Sequence, residues 1–456
     1  MYEGQPELDI LRALGYFDRP AEPEALKLVL PAMEDRKYRA ALKRLCDARL
    51  ILTKDSTHPL DCHPLVREHF ATDATPEGHA WLYEHYQQRS PQLTNSIEEM
   101  TPLFYAVYHG CQAGRHQAAL DDVYRKRILR GQEYLWRRLG SLGTTLSLIA
   151  NFFEVPWSQP IAALSLVDRS WIMNQAGSTL RGLGRLTEAI KPMTEGAADA
   201  ADMEHWTDTA RRLSNLSGLH LALGNLPDAV GTARRAVEFA DRSSDDVQRF
   251  KRRANLADAL HQSREFAEAT QLFAEAEQIK KKAKSTEQLL DSIQGYRYCD
   301  LLLGRGEVAE VLRRASETIR KGEGPYALLE IGLDHLSLGR AHPPDSYEAA
   351  HHLDQAVDFL RRAGQLQYLP LALLARGTLQ DLDEVFRIAT RSGMRLHLTD
   401  YHLASARLAL RDGDRPKALD HFTKADTLVQ ETGYHRRDPE LATLRAALTI
   451  TPDPTK

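Results

Sequence analysis

The sequence has little that could carry chemistry. Its 456 residues hold only 4 cysteines, Cys46, Cys62, Cys111 and Cys299, and no CxxC pair. That spacing excludes a disulfide scaffold and a cysteine zinc site. Each cysteine sits among apolar residues and reads as a small buried hydrophobe, which fits a reducing cytoplasm. No apolar run approaches the roughly 20 residues that a membrane helix needs. The longest, Leu142–Phe153, reads as an apolar helix and is interrupted by Thr, Ser and Asn. The N-terminal MYEGQPELDI is acidic and has no apolar core of a signal peptide. Charge of one sign is also missing: 59 Lys and Arg face 63 Asp and Glu, a net charge of -4, so nothing draws the whole chain to nucleic acid. Mean hydropathy is -0.44.

Catalytic motifs are absent as well. There is no GK[ST], so no P-loop to cradle phosphates, no Walker-B acidic pair and no GxSxG nucleophile turn. The carboxylate pairs Glu98-Glu99, Asp121-Asp122 and Asp245-Asp246 fall at helix ends or on polar faces, where they cap or are solvated. His351-His352 with His342 makes no metal site, because adjacent residues on a helix point in different directions. The sequence therefore predicts no catalytic residue, no metal and no cofactor held by this chain alone.

What is there is repetition. Trp206–Asp241 reads as two amphipathic helices joined by a short turn. Leu213, Leu216, Leu219 and Leu223 recur at helical spacing, and Gly224 ends that helix in a left-handed cap. Pro227 suits the first turn of the next helix, where its missing N–H costs nothing. Ala229, Ala233 and Ala236 then supply small side chains where the second helix approaches the first. The pattern returns at Gly177, Gly184 and Ala189, at Ala257, Ala269, Phe273 and Ala276, and at Gly304 and Ala309. It continues through Ala349, Leu353 and Ala356, through Leu382, Phe386 and Ala389, and through Ala406, Gly413, Ala418, Phe422 and Ala425. Ala189, Ala229, Ala269, Ala309 and Ala349 are spaced by a step of 40 residues. This resembles the tetratricopeptide repeat, whose period is about 34. RAHPPDS, before Tyr347, reads as a turn inserted into one repeat, where arrays often place binding loops.

Residues 1–72 are compositionally separate. They read as three short helices, a two-stranded wing turning at Lys54-Asp55-Ser56, and a closing helix Leu65–Phe70, a winged-helix domain. The run LDCHPLVREHFA, Leu60–Ala71, resembles the end of the winged helix in bacterial signal-transduction NTPases with numerous domains, the STAND proteins related to NB-ARC and NACHT. AVYHGCQAGRHQAALDDVY (Ala106–Tyr124), ALLARG (Ala372–Gly377), MRLHLTDYHLASARLAL (Met394–Leu410) and TGYHRRDPEL (Thr432–Leu441) resemble the repeat sensors of the same proteins. The resemblance implies that His63 contacts the β-phosphate of ADP when an NTPase domain is present. Pro64 after it suits a helix N-terminus, where backbone N–H groups favour an anion.

The expected fold is all-α: a winged helix over 1–72, a linker helix over 73–98, a tetratricopeptide-like superhelix over 99–447 and a disordered tail over 448–456. The expected function is non-enzymatic recognition of a protein or ligand trigger, as the regulatory portion of a STAND NTPase. The NTPase or effector would be either another part of the same protein or a separate partner acting in trans. Asn215, His220, Arg253, Asn255, Tyr296 and Tyr298, on first helices of repeats, are the expected partner-binding residues of the concave face. Two alternatives stay open. One is a DNA-binding regulator using Arg36, Lys37, Arg39, Lys43 and Arg44 on the third helix, although acidic neighbours balance that face. The other is a free-standing scaffold. Lys126, Arg137 and Arg138 form a second basic cluster and Lys280-Lys281-Lys282 with Lys284 a third, whose lysines suit the C-terminal dipole of a second helix.

Overall fold

A computed structural model describes residues 5–53, 58–283, 289–321 and 328–449. The expected turn at Lys54-Asp55-Ser56, the last lysine of the basic run, Lys284, and residues 450–456 of the expected tail lie outside the described residues. The chain forms two compact units, residues 1–134 and 135–456.

The first unit begins with α1 (Pro6–Leu14), α2 (Pro23–Leu28) and α3 (Asp35–Asp47). Proline opens α1 and α2 at a position where no N–H is needed. Strands β1 (Ile51–Leu52) and β2 (Asp61–Cys62) pair antiparallel with Ile51 opposite Cys62, and Ala21 bridges to Leu60. Ile10, Leu14, Leu26, Leu45, Ile51 and Leu60 meet in the interior. Arg44 donates to the carboxylate of Glu7, a buried acid on α1. Helix α4 (Pro64–Ala71) follows, with His63 as its N-cap.

The compact unit does not stop there. Helix α5 (Pro76–Arg89), capped by Thr75, lies against α6 (Ile97–Gln112) and buries Leu82, Tyr83 and Tyr86. A short α7 (His116–Ala118) leads into a π-helical stretch, Ala119–Leu129, that packs back on α6. Residues read as a linker over 73–98, and the first residues assigned to the array at 99, thus belong to one packed unit with the N-terminal helices. Tyr83 and Tyr86 of α5 explain this: they bury their rings against α6, while Trp81 stays exposed.

The second unit starts at α8 (Tyr134–Arg137) and α9 (Leu142–Ala150). The apolar helix expected to run to Phe153 ends at Ala150. The Asn151 amide turns back to the carbonyls of Ser147 and Leu148, at 3.1 Å each. Phe153 then enters a ribbon, β3 (Phe153–Val155) with β4 (Gln159–Pro160).

Seven helix hairpins follow among the described residues: α10 (Leu166–Gly182) with α11 (Leu186–Asp202), α12 (Trp206–Leu223) with α13 (Leu226–Arg242), α14 (Asp246–Gln262) with α15 (Phe266–Lys282), α16 (Ser292–Gly304) with α17 (Val308–Lys321), α18 (Leu328–Ala341) with α19 (Tyr347–Ala363), α20 (Leu369–Arg376) with α21 (Leu379–Ser392), and α22 (Arg395–Arg411) with α23 (Arg415–Thr432). Helix α24 (Asp438–Thr449) closes the array and includes Leu448, where the tail was expected to begin. The unit is a tetratricopeptide-like α-solenoid. Gly224 takes φ 81° after α12, the left-handed cap that only glycine adopts at little cost. Ala189, Ala229, Ala269 and Ala349 are fully buried between paired helices. Ala309 breaks the 40-residue step: it is exposed, and Val311, two residues on, takes the buried place. Phe386, counted in the repeat pattern, is also largely exposed.

The solenoid meets itself. Leu216 and Leu219 share a core with Ala389 and Met394, and Leu226 packs with Leu403, Tyr434 and Leu441. The Leu366 N–H donates to the Gly182 carbonyl at 2.8 Å, joining residues far apart in sequence.

Three hairpins carry an unexpected device. His79 and His109 meet Nδ1 to Nδ1 at 2.9 Å, His335 and His352 at 2.9 Å, and His402 and His421 at 2.8 Å. Burial holds His79, His335 and His402 down at about 4. An unfolded histidine titrates near 6.5, so between roughly pH 6.5 and 4 the unfolded chain binds more protons. Stability should therefore fall as pH drops through that window, by up to about 3 kcal/mol for each of the well-buried His79 and His402. Urea unfolding at pH 7.5 and 4.5 measures this. His402→Gln should reduce the difference, and an unchanged difference would remove the histidines from the account.

Candidate functional site

First helices of the hairpins face the inside of the second unit and enclose a cavity of about 310 Å³. Helices α10, α12, α14, α16, α18, α20 and α22 contribute to it, together with α24 and the turn His435–Arg437. One wall is apolar, made by Leu221, Ala222, Leu371, Leu374, Leu396 and Leu403.

The opposite character comes from a chain of charged contacts. Arg297 pairs with Asp258 at 2.8 Å, and the Gln262 amide donates to Asp258 at 3.0 Å. Arg436 donates to the Gln262 carbonyl oxygen at 3.0 Å and to both carboxylate oxygens of Asp300, at 2.5 and 3.0 Å. Arg340 reaches Asp300 at 2.8 Å from the next repeat. Burial alone would raise the Asp300 carboxyl, but Arg436 and Arg340 outweigh it and hold the group well below its ordinary range. Beside it, burial and then Arg436 push His261 down to about 3, so that ring is neutral. A second set closes the C-terminal side, where Arg437 binds Asp400 at 2.7 Å and Glu440 at 2.8 Å. The Tyr434 hydroxyl donates to Asp400 at 3.3 Å.

Six arginines line the cavity (Arg181, Arg297, Arg340, Arg407, Arg436, Arg437) against four carboxylates (Asp258, Asp300, Asp400, Glu440). Four of the arginines have the carboxylate partners just described. Arg181 and Arg407 have none among the described residues, and the lining is left with two surplus positive charges. Arg181 Nη1 donates to the Asn215 carbonyl at 2.8 Å, while its Nε is buried without a partner. Its guanidinium lies over Gly218: a Cβ there would come within 2.5 Å of Nη1. Burial, with Arg297 nearby, lowers the Arg181 pKa. Arg407 stands exposed at the rim.

Solved proteins to which the chain is similar in structure, all at low identity, include the following. One is a signal transduction ATPase with numerous domains, a STAND protein with a tetratricopeptide repeat sensor from Pyrococcus horikoshii, at 14% identity and TM-score 0.42. The match covers 98% of this chain but 66% of that one, so the chain spans just under two thirds of its length. A Rap protein complexed with competence and sporulation factor matches at 11% identity and TM-score 0.45, over 81% of this chain and 100% of the other. The Rap conjugation gene regulator of plasmid pLS20, in complex with the Phr* peptide, matches at 11% identity and TM-score 0.36, over 97% and 98%. No family model matches, and no curated relative does.

Of the six residues expected to bind a partner, Tyr296 alone lines the cavity. Asn215 is spent on structure: its carbonyl takes Arg181 and its amide donates to Asn174 at 3.2 Å. Asn255 is held by Ser214 and Arg297, a step behind the lining. Tyr298 stacks on Phe273 at 4.7 Å between neighbouring hairpins, with Arg314 over its ring. Arg253 points to the hairpin seam, where it binds Asp241 at 2.8 and 3.0 Å. His220 is half-buried, with Nδ1 unpartnered, and does not line the cavity. The register was displaced by one to four residues: Arg297 and Asp300 follow Tyr296 on the face that turns inward. The available signal was Asp300 itself, an acid set between Cys299 and three leucines. A carboxylate in an apolar helix requires a cation from elsewhere.

His63 lies in the first unit, exposed, its Nδ1 accepting from the Leu65 N–H at 3.2 Å. The inserted turn before Tyr347 serves two structural ends: Arg340 reaches Asp300, and Ser346 caps α19. Arg137 binds the buried Glu330, and the buried Lys280 binds Asp291.

Replacing Asp300 by Ala leaves Arg340 and Arg436 unpaired at a buried site. The loss of stability should be about 3–5 kcal/mol. Thermal unfolding of the purified variant measures it, and a midpoint equal to wild type would show that the pair holds nothing together.

Proposed function

We propose that the chain is a recognition module, in which the second unit takes a segment of a protein or peptide trigger into its cavity. The observation that carries this is the lining. Leucines and a row of fixed donors and acceptors line the same space, an arrangement suited to orienting a short chain with mixed side chains. Every first helix supplies a residue, so occupancy of the cavity would be felt along the array.

In this reading the chain serves as the regulatory portion of a STAND-type NTPase, whose nucleotide-binding part lies outside these 456 residues. The first unit is then a winged helix. Its order of three helices, a bridge at Ala21 and a β1–β2 pair supports that assignment. His63, exposed at the start of α4, is the residue offered to bound ADP. The trigger would shift the assembly toward its open form only by binding that form more tightly. DNA binding by α3 has less behind it, because Arg44 is committed to Glu7 and Arg39 to a backbone carbonyl within its own helix.

The test is capture with the tagged full chain in its host, followed by reconstitution with purified components. Ala404 lines the cavity, so Ala404→Trp fills it. The reconstituted trigger should bind this variant at least tenfold more weakly, with thermal stability unchanged. A P-loop NTPase that co-purifies with ADP should lose the nucleotide on His63→Ala. Equal binding by Ala404→Trp would refute the cavity as the recognition site.

A further inference from the structure

We propose that the cavity selects an acidic peptide, seating its carboxylates on Arg181 and Arg407. This rests on the reading of the cavity as a peptide site and adds the chemistry of the occupant.

Every carboxylate in the lining already faces an arginine, so the two surplus guanidiniums have no counterion among the described residues. Arg181 is fixed rather than floppy. It enters from α10, crosses Gly218 on α12 and is anchored by one donor on the Asn215 carbonyl. With Nε buried and unpartnered, it keeps unused donor capacity beside the cavity. A planar guanidinium held in this way matches a carboxylate, which it can bind through two parallel hydrogen bonds. Arg407 at the rim meets an approaching anion first and remains hydrated until it arrives.

The leucine wall decides what kind of anion. Leu221, Leu371, Leu374 and Leu396 would gain nothing from inorganic phosphate, but they would bury the aliphatic side chains of a peptide. A volume of about 310 Å³ admits a short segment and excludes a folded domain. The occupant is therefore a peptide with acidic and aliphatic residues close together, drawn to a cationic cavity in a chain whose net charge is -4.

A hexapeptide library with one position fixed at a time, presented to the full chain, tests this. Enrichment of Asp or Glu at one or more positions, with Leu or Ile at others, is expected. The best acidic peptide should bind Arg181→Gln or Arg407→Gln about ten- to a hundredfold more weakly. Its glutamine-substituted counterpart should be indifferent to both changes. Arg407→Gln is exposed and keeps the fold, so a failure of Arg181→Gln to fold leaves the test intact. Enriched peptides without acidic residues would overturn the anion seat and leave the peptide reading standing. Binding of inorganic phosphate that depends on Arg181, with no peptide enriched, would overturn both.

Discussion

The second unit depends on one buried anion. Asp300 sits in the last third of α16, between Cys299 and Leu301, and is buried. A carboxylate there is tolerable only with cations against it. Arg340 comes from the following first helix and Arg436 from the last turn of the array. The energy of such a pair is modest, since desolvation consumes much of the attraction. Its consequence is positional: the end of the chain must lie beside the middle. Repeats that would otherwise stack only on their neighbours are thereby returned onto one another, and the first helices are left facing a closed space.

That closure separates the charge of the site from the charge of the chain. Overall the composition is almost balanced, yet the lining is cationic, because the arginines that hold the array together converge there and outnumber their partners. The work is divided: four arginines are spent on architecture, and two are left without a carboxylate among the described residues. Such a division cannot be inferred from the solenoid as a fold, which supports many unrelated partners. It follows from which side chains this sequence places on the inner faces.

The repeat itself was legible because it is made by size and spacing: Ala229, Ala233 and Ala236 leave no other reason for three small residues on one helix stripe. The hairpin turn at Gly224 was legible for a similar reason, being a backbone requirement that one residue type meets. The cavity was not. Its walls come from helices far apart in sequence, and the 40-residue step does not say which face turns inward. A shift of one residue moved the expectation from Arg297 to Tyr298, and the true direction is set by long-range closure through Asp300. The N-terminal boundary was missed on other grounds. Thr75 caps a helix whose Tyr83 and Tyr86 are core, so residues expected to link two domains are packed into one. The histidine pairs were invisible because each joins two helices through residues 17 to 30 positions apart.

The central claim is that the solenoid is closed in solution, since an open one has no cavity. Hydrogen exchange of the wild-type chain addresses it directly through the Leu366 amide, whose partner is the Gly182 carbonyl of a distant repeat. The closed array predicts slow exchange at Leu366 and across Tyr434–Arg437, comparable to the helices of the central hairpins. Fast exchange at those two places, with the hairpins still protected, would contradict it.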